Sequence, residues 1–472
     1  MAIPKTSSAI FLMATLLLIS LAAGRPVSLP ADEAQFKSQP EPQEQLTKQP
    51  KEQPKEQPQA QKVLQLSPRA KLTMVTIFPG RALYSMFGHT AIRVEDPVYE
   101  IDLLYNYGQS SVPFDATFIP RFVTGELPFM LGVVQTRRAY DFYSRYENRS
   151  IYEQDLLLSA AERQAVFEFL DINARPENRI YIYDFFYDNC TTRVRDLLWD
   201  LFGDGIRFKL GERPAVSYRR AISPYLVDKP FVKFGINLML GSPTDGVPGR
   251  ERRLYLPGQF MEAVEAAELD GRPLMGKTRF IYEGRNGTDI VPLAGGKPGQ
   301  SAVGPSFADR AWSLLPSLLL WLLFAAALIL TFSRLRRSWG ARVLDVLLFG
   351  AAGLVGAASL LLWIFSGYVM TTANYHLLWA WPVHVIIAFS LIKKRRPQRR
   401  SRGLSQVPQQ PPFIRWYAGI AAAAALVALG LFPLLPQQLP APAVPLLLSL
   451  ALRGGSKFSD GAGWAGRWGL QK

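Results

Sequence analysis

Tyr183–Phe202 reads YDFFYDNCTTRVRDLLWDLF, and it holds the only cysteine among 472 residues. An aromatic strand or turn ends at Asp188, and Asn189 stands where a helix needs its N-cap, so a helix is expected to begin at or beside Cys190. Amides at a helix N-terminus stabilise a thiolate and lower its pKa, which makes a cysteine a nucleophile near neutral pH. The same end can bind or position an oxyanion, with Asn189 and Thr191 as its residues. The plainer alternative is a small buried hydrophobe, the usual state of a free cysteine.

Histidine is nearly as scarce, with His89, His376 and His384 making up the full set. His89 lies in SMFGHTAIRV (residues 85–94), where Gly88 permits close backbone approach just before a strand begins. Together with Cys190 it completes the nucleophile and base pair of covalent acyl transfer. A third group should orient the imidazole: Asp102, on the next strand beyond a turn around Asp96 and Pro97, or else Asn106. His384 falls in an apolar run and reads as a packing residue. No CxxC, HExxH or His-x-His spacing suggests a metal, no GxSxG suggests a serine hydrolase, and no Gly-rich phosphate loop is present, so neither metal nor cofactor is expected.

Around this pair the chain falls into blocks. Residues 1–24 read as a signal peptide or N-terminal anchor, because Ile10–Ala23 is apolar behind Lys5. Residues 25–63 form a linker containing KQPKEQPKEQPQ (residues 48–59), which has too few apolar side chains for a core. Residues 64–283 alternate as LTMVTIF, HTAIRVED and VYEIDLLYNYG, with helical periods over 138–146, 159–173 and 191–202. That pattern predicts an exported α+β domain built on an antiparallel sheet. A linker, 284–310, leads to an α-helical transmembrane bundle over 311–436, with spans expected at 311–332, 343–369, 377–392 and 416–435. A tail, 437–472, is left unplaced.

The loop 333–342 carries Arg334, Arg336, Arg337 and Arg342, and the loop after Ile392 reads KKRRPQRRSR. Positive loops stay in the cytoplasm, so the α+β domain is expected on the extracytoplasmic side of the inner membrane. Much of the formal charge of +15 sits in these loops, and no nucleic-acid partner is needed to explain it.

Beyond the two short motifs, YSMFGHTAIRVED (84–96), LLYNYG (103–108), YENRSIYEQDLLL (146–158) and FFYDNCTTRVRDLL (185–198) together resemble the exported domain of the Lnb-type bacterial lipoprotein N-acyltransferases. SYRRAISPYL (217–226), INLMLGSPTD (236–245), RRLYLPGQF (252–260) and TTANYHLLWAWPVH (371–384) extend the likeness over roughly Leu72–Ser390. The resemblance implies a permuted papain-like fold, in which histidine precedes cysteine, and it carries the family's cysteine and histidine onto Cys190 and His89.

It further implies transfer of a fatty acyl chain from a phospholipid, through a Cys190 thioester, to the N-terminal amine of a diacylglyceryl-modified lipoprotein. The partners expected are therefore the membrane, a phospholipid donor and a lipoprotein acceptor. Asn374 and His376, in the extracytoplasmic turn 371–376, are expected to contact lipid headgroup or acceptor unless they merely cap helices. Two other readings remain open: a phospholipase or cell-wall cysteine hydrolase with the same dyad, and a non-enzymatic membrane scaffold.

Overall fold

The computed structural model describes residues 63–111, 118–208, 215–284, 307–392 and 411–459. The leader, the Pro/Gln tether through residue 62, most of the 284–310 linker and the basic loop after Ile392 lie outside the described residues. The chain divides into Met1–Gln65 and Leu66–Lys472, and the elements below belong to the second unit.

Short β-rich runs closed by turns give strands β1 (Lys71–Ile77), β2 (His89–Asp96), β3 (Ile101–Ser110), β4 (Pro128–Gln135), β5 (Ile151–Asp155), β6 (Ile180–Ile182), β7 (Ile206–Arg207), β8 (Glu268–Leu269), β9 (Arg272–Pro273) and β10 (Arg279–Tyr282). Seven of them form one antiparallel sheet in the order β10-β5-β1-β2-β3-β4-β6. Val75, Ile77, Ala91 and Leu104 pack with Ala139 and Tyr143 in one core cluster. The helix Cys190–Phe202 packs on β2 and β3, and its apolar side, Val194, Leu197 and Leu198, is buried. Ser159 caps the helix Ala160–Ala174 as expected: its hydroxyl accepts from the Glu162 amide, while the Glu162 carboxylate accepts from the Ser159 amide at 2.7 Å.

Three helices among the described residues are long and apolar enough to cross a membrane: Leu315–Phe332, Trp339–Phe365 and the one starting at Pro412. The expected span 377–392 falls in a bent pair of helices, Val369–Leu378 and Val383–Ile392, which meet at 49° and together are apolar enough for one broken span or a re-entrant loop. Pro382 sits at the break, where its ring and missing N–H prevent a continuous helix. A Cβ on Gly356 would lie 2.0 Å from the Ala380 carbonyl oxygen, so this glycine admits the broken segment against its neighbour.

Ala443–Ser459 is a helix that packs on Pro412–Leu431 and Leu315–Phe332. In the sequence its apolar run is interrupted by Arg453, Gly454, Gly455 and Lys457. The fold shows what the charges do: Arg453 Nε and NH2 donate to the two Asp345 carboxylate oxygens at 2.7 and 3.1 Å, Arg453 NH1 donates to Thr331 Oγ1 at 2.9 Å, and Lys457 Nζ lies 2.5 Å from Asp345. Arg453 and Asp345 are 2% and 1% exposed, so the ion pair is wholly inside protein.

The domain and the bundle meet at the turn 369–376. Gly241 N donates to Met370 O at 2.8 Å and Ser242 N to Ala373 O at 3.2 Å. A Cβ at Gly241 would stand 1.7 Å from Thr372 O, so only glycine allows the approach. Arg219 stiffens this edge from behind. Its guanidinium pairs with Asp245 at 2.9 and 3.0 Å and donates to the carbonyls of Asn237, Leu240 and Gly241.

Removing one member of a buried ion pair leaves the others uncompensated, at about 3–5 kcal/mol. Asp345→Ala is therefore expected to lower the melting temperature of the detergent-solubilised protein sharply, whereas Asp345→Leu combined with Arg453→Met and Lys457→Met recovers most of the loss. Equal melting of Asp345→Ala and wild type would show the pair to be idle.

Candidate active site

A tight loop delivers the cysteine. Asp184 and Asp188 exchange main-chain hydrogen bonds of 3.0 and 2.9 Å, and Asp184 Oδ1 accepts from the Phe186 and Tyr187 amides. The chain emerges at Asn189 in extended conformation, and the helix starts at Cys190. Asn189 Oδ1 accepts from the amides of Thr191 (2.7 Å) and Thr192 (3.0 Å), and its Nδ2 donates to Phe185 O and Tyr255 O at 2.6 and 3.0 Å. All four hydrogen-bonding capacities of the amide are then in use, which locks the cap. The expected oxyanion role does not follow for Asn189 or the Thr191 amide, since both are spent on capping. Thr191 Oγ1 bonds Thr90 Oγ1 at 3.1 Å and ties the helix to β2.

His89 opens β2, and its Nε2 is hydrogen-bonded to Asn106 Oδ1 on β3. An amide oxygen can only accept, so the imidazole carries its proton on Nε2 and offers Nδ1 to the thiol. Asn106 is oriented in turn by donating to Tyr143 Oη at 3.2 Å. The second of the two candidates for the orienting group is thus the one beside the ring.

Asp102 is not. In the β2–β3 register it pairs with Glu95, at the closed end of the hairpin, while His89 lies at the open end. Glu95 is six residues further along β2 than His89, so at about 3.3 Å per residue the two sites are roughly 20 Å apart. Asp102 instead accepts from Arg93 Nε and NH2 at 2.7 and 3.0 Å.

Two glycines shape the space around the dyad. Gly88 has φ +86°, and a Cβ there would press to 3.0 Å from Ile77 O. Gly108 has φ +94° at the point where the β3–β4 register shifts. A Cβ on Gly108 would lie 3.7 Å from Cys190 Cβ, 3.8 Å from His89 Cε1 and 4.0 Å from Tyr181 Oη, so this glycine borders all three groups. The glycine of LLYNYG carries a signal for this in the sequence, because an isolated glycine in a strand marks a bulge or a close approach. Tyr181 offered no such signal within an aromatic run.

Burial pushes the Cys190 thiol up, but the His89 charge and hydrogen bond, the Thr90 main-chain amide and the Thr191 hydroxyl outweigh it and hold the thiol below its ordinary value. Burial pushes His89 down, and the charge and hydrogen bond of Cys190, with Asn106, outweigh burial and nearby Arg149 to raise it. Both shifts favour a thiolate beside an imidazolium, the reactive form of such a pair. Among the described residues no three His, Cys, Asp or Glu side chains gather as metal ligands.

Asn374 and His376 stand elsewhere, both fully buried. Asn374 Nδ2 donates to Leu238 O at 2.8 Å, and its Oδ1 accepts from His376 N (3.1 Å) and Gln437 Nε2 (3.2 Å). His376 stacks on Phe432 and accepts from Trp379 Nε1 at 3.3 Å. Neither faces an open surface, so the expected contact with headgroup or acceptor gives way to capping and to joining the domain to the bundle. His384 is likewise enclosed, bonded to Trp379 O and the Tyr417 hydroxyl.

The thiol itself is near the bundle. Tyr183 N donates to Leu127 O at 3.1 Å, and a few residues earlier Thr124 O accepts from Gly367 N at 2.9 Å, just beyond the end of the helix Trp339–Phe365. Phe186, Tyr218, Tyr225 and Tyr255 form an aromatic cluster with Met370 of the bundle's turn, and Phe87 packs against it.

Two family models match the chain: the Lnb N-terminal periplasmic domain over residues 58–223, and the Lnb transmembrane domain over residues 308–460. The first range contains both halves of the dyad, and the second includes the helix Ala443–Ser459. No curated protein and no solved structure matches.

Iodoacetamide alkylation of Cys190, followed by mass spectrometry against pH, is expected to show a midpoint below that of a free thiol. His89→Ala should raise the midpoint, because the two largest influences that oppose burial are then gone, and Asn106→Ala should raise it part of the way. Asp102→Asn should leave the profile where it was. Gly108→Ala forces a side chain into a positive φ, so it should cost upward of about 1 kcal/mol in thermal stability and slow alkylation as well.

Proposed function

Since the chain belongs to the Lnb family, as an inner-membrane protein with its N-terminal domain in the periplasm, we propose that it is a lipoprotein N-acyltransferase with Cys190 as nucleophile and His89 as base. The Cys190 thiolate attacks a phospholipid ester carbonyl, and the S–C bond forms as the ester C–O bond breaks. The imidazolium of His89 gives its proton to the departing lysophospholipid oxygen. In the second half the α-amine of a diacylglyceryl-modified lipoprotein attacks the thioester. The N–C bond forms, the C–S bond breaks, and His89 takes the amine proton, which restores the thiolate and imidazolium.

One observation carries this reading: the loop that delivers Cys190 packs Phe186, and the loop before His89 packs Phe87, into an aromatic cluster that also holds Met370 at the periplasmic end of the bundle. A donor and an acceptor that are both held in a membrane require a nucleophile at that depth. The helix bearing cysteine at its first turn, packed on a sheet whose earlier strand carries the histidine, also supports a permuted papain-like arrangement. Of the other readings, the hydrolase shares the dyad. Against it stands the burial of Cys190, 9% exposed, since a site that keeps water out protects a thioester until an amine arrives.

In a strain lacking its own lipoprotein N-acylating enzyme, the wild-type chain is expected to convert diacyl to triacyl lipoprotein, as read by mass spectrometry of the lipopeptide, and Cys190→Ala to lose the conversion. Purified protein given labelled phospholipid alone should accumulate label on Cys190. Rapid release of free fatty acid would favour the hydrolase, and full activity of Cys190→Ala would end the covalent account.

A further inference from the structure

We infer that the hydroxyl of Tyr181 is an oxyanion donor of this site, holding the negative oxygen that forms when Cys190 attacks an ester carbonyl. The inference rests on the acyl-transfer reading and adds to it a residue that touches the reacting atoms. Tyr181 is the middle residue of β6, and its neighbours Ile180 and Ile182 point outward at 57% and 51% exposure while Tyr181 is 7% exposed. Alternation along the strand therefore turns the phenol inward.

Its hydroxyl is buried and has no hydrogen-bond partner among the described residues. A hydroxyl removed from water and left unpaired costs free energy, and such a group asks for a reason. The reason is in its position: Tyr181 Oη, Cys190 Cβ and His89 Cε1 are the three atoms nearest the place where a Cβ on Gly108 would be. The donor, the nucleophile and the base thus border one small volume, which glycine leaves open.

The side-chain chemistry suits the role. Arg193 lies over the phenol ring, 4.2 Å from its centroid, and is held there by Asp188 through bonds of 2.5 and 2.6 Å. A cation on the ring face draws electron density from the oxygen and makes the O–H a stronger donor. Burial keeps the phenol protonated, with its pKa well above the ordinary value, so it donates and does not titrate. The cap, meanwhile, has consumed the Asn189 side chain and the Thr191 amide, the donors a reader of the sequence would have chosen.

In the step itself, the thiolate pair forms the S–C bond, the carbonyl π electrons move onto oxygen, and the Tyr181 O–H donates to that oxygen without transferring its proton. Collapse returns the electrons and expels the alkoxide, which His89 protonates.

Two reagents separate this role from a structural one. p-Nitrophenyl butyrate acylates a thiol through an oxyanion, whereas iodoacetamide alkylates it by displacement with none. For Tyr181→Phe in the full-length protein, acylation by the ester is expected to slow by about 10²-fold while alkylation and its pH midpoint stay at wild-type values. Unchanged acylation overturns the inference. So does a parallel fall in both rates, which would mean a disturbed thiol, or a wild-type Cys190 that alkylates yet resists the ester. Labelled phospholipid given to the wild type alone reports separately on the acyl donor, so failure there leaves the Tyr181 result standing.

Discussion

Main-chain hydrogen bonds across the seam between Gly241–Ser242 and the turn Met370–Ala373 set the height of everything else. Peptide groups cannot lengthen or swing as side chains do, so the domain is fastened to the bundle at a fixed distance. Gly241 makes this possible by having no side chain to collide with Thr372. Arg219 and Asp245 then hold the domain's edge in one shape, and Asn374 closes the contact from the bundle side. The thiol inherits its level from this seam through the aromatic cluster and Tyr183.

Within the site, order comes from saturation. Asn189 spends every bond it can make, Asn106 is held between His89 and Tyr143, and Thr90 and Thr191 join the helix to the strand. These side chains have partners, and so they position the dyad and do no chemistry themselves. Among the described residues the Tyr181 hydroxyl beside them is left without a partner, and it has bonding capacity to give.

Much of this was legible in the residues because the signals were local. Asn189 before a helix, Ser159 with Glu162, the alternation of β1 to β3 and the apolar runs each depend on neighbours within one element. What depended on register was not legible. Asp102 and Asn106 are both plausible partners for His89 until the turn at 97–100 sets the pairing, which then carries Asp102 to the far end of the hairpin. Asn374 and His376 looked like an exposed turn because nothing in TTANYHLLWAWPVH reveals the helix Pro230–Met239 that covers them. The helix Ala443–Ser459 is illegible for the same reason, since Arg453 and Lys457 read as solvent charges until Asp345, 108 residues before Arg453, stands opposite them.

That last pairing has a bearing on how the protein is made. Asp345 enters the bilayer with the second helix of the bundle, long before the ribosome has produced the arginine that answers it. A nascent chain therefore carries an unanswered carboxylate in an apolar setting until its final helix arrives. Translation products that stop before Arg453 leave the Asp345 carboxylate without its partner.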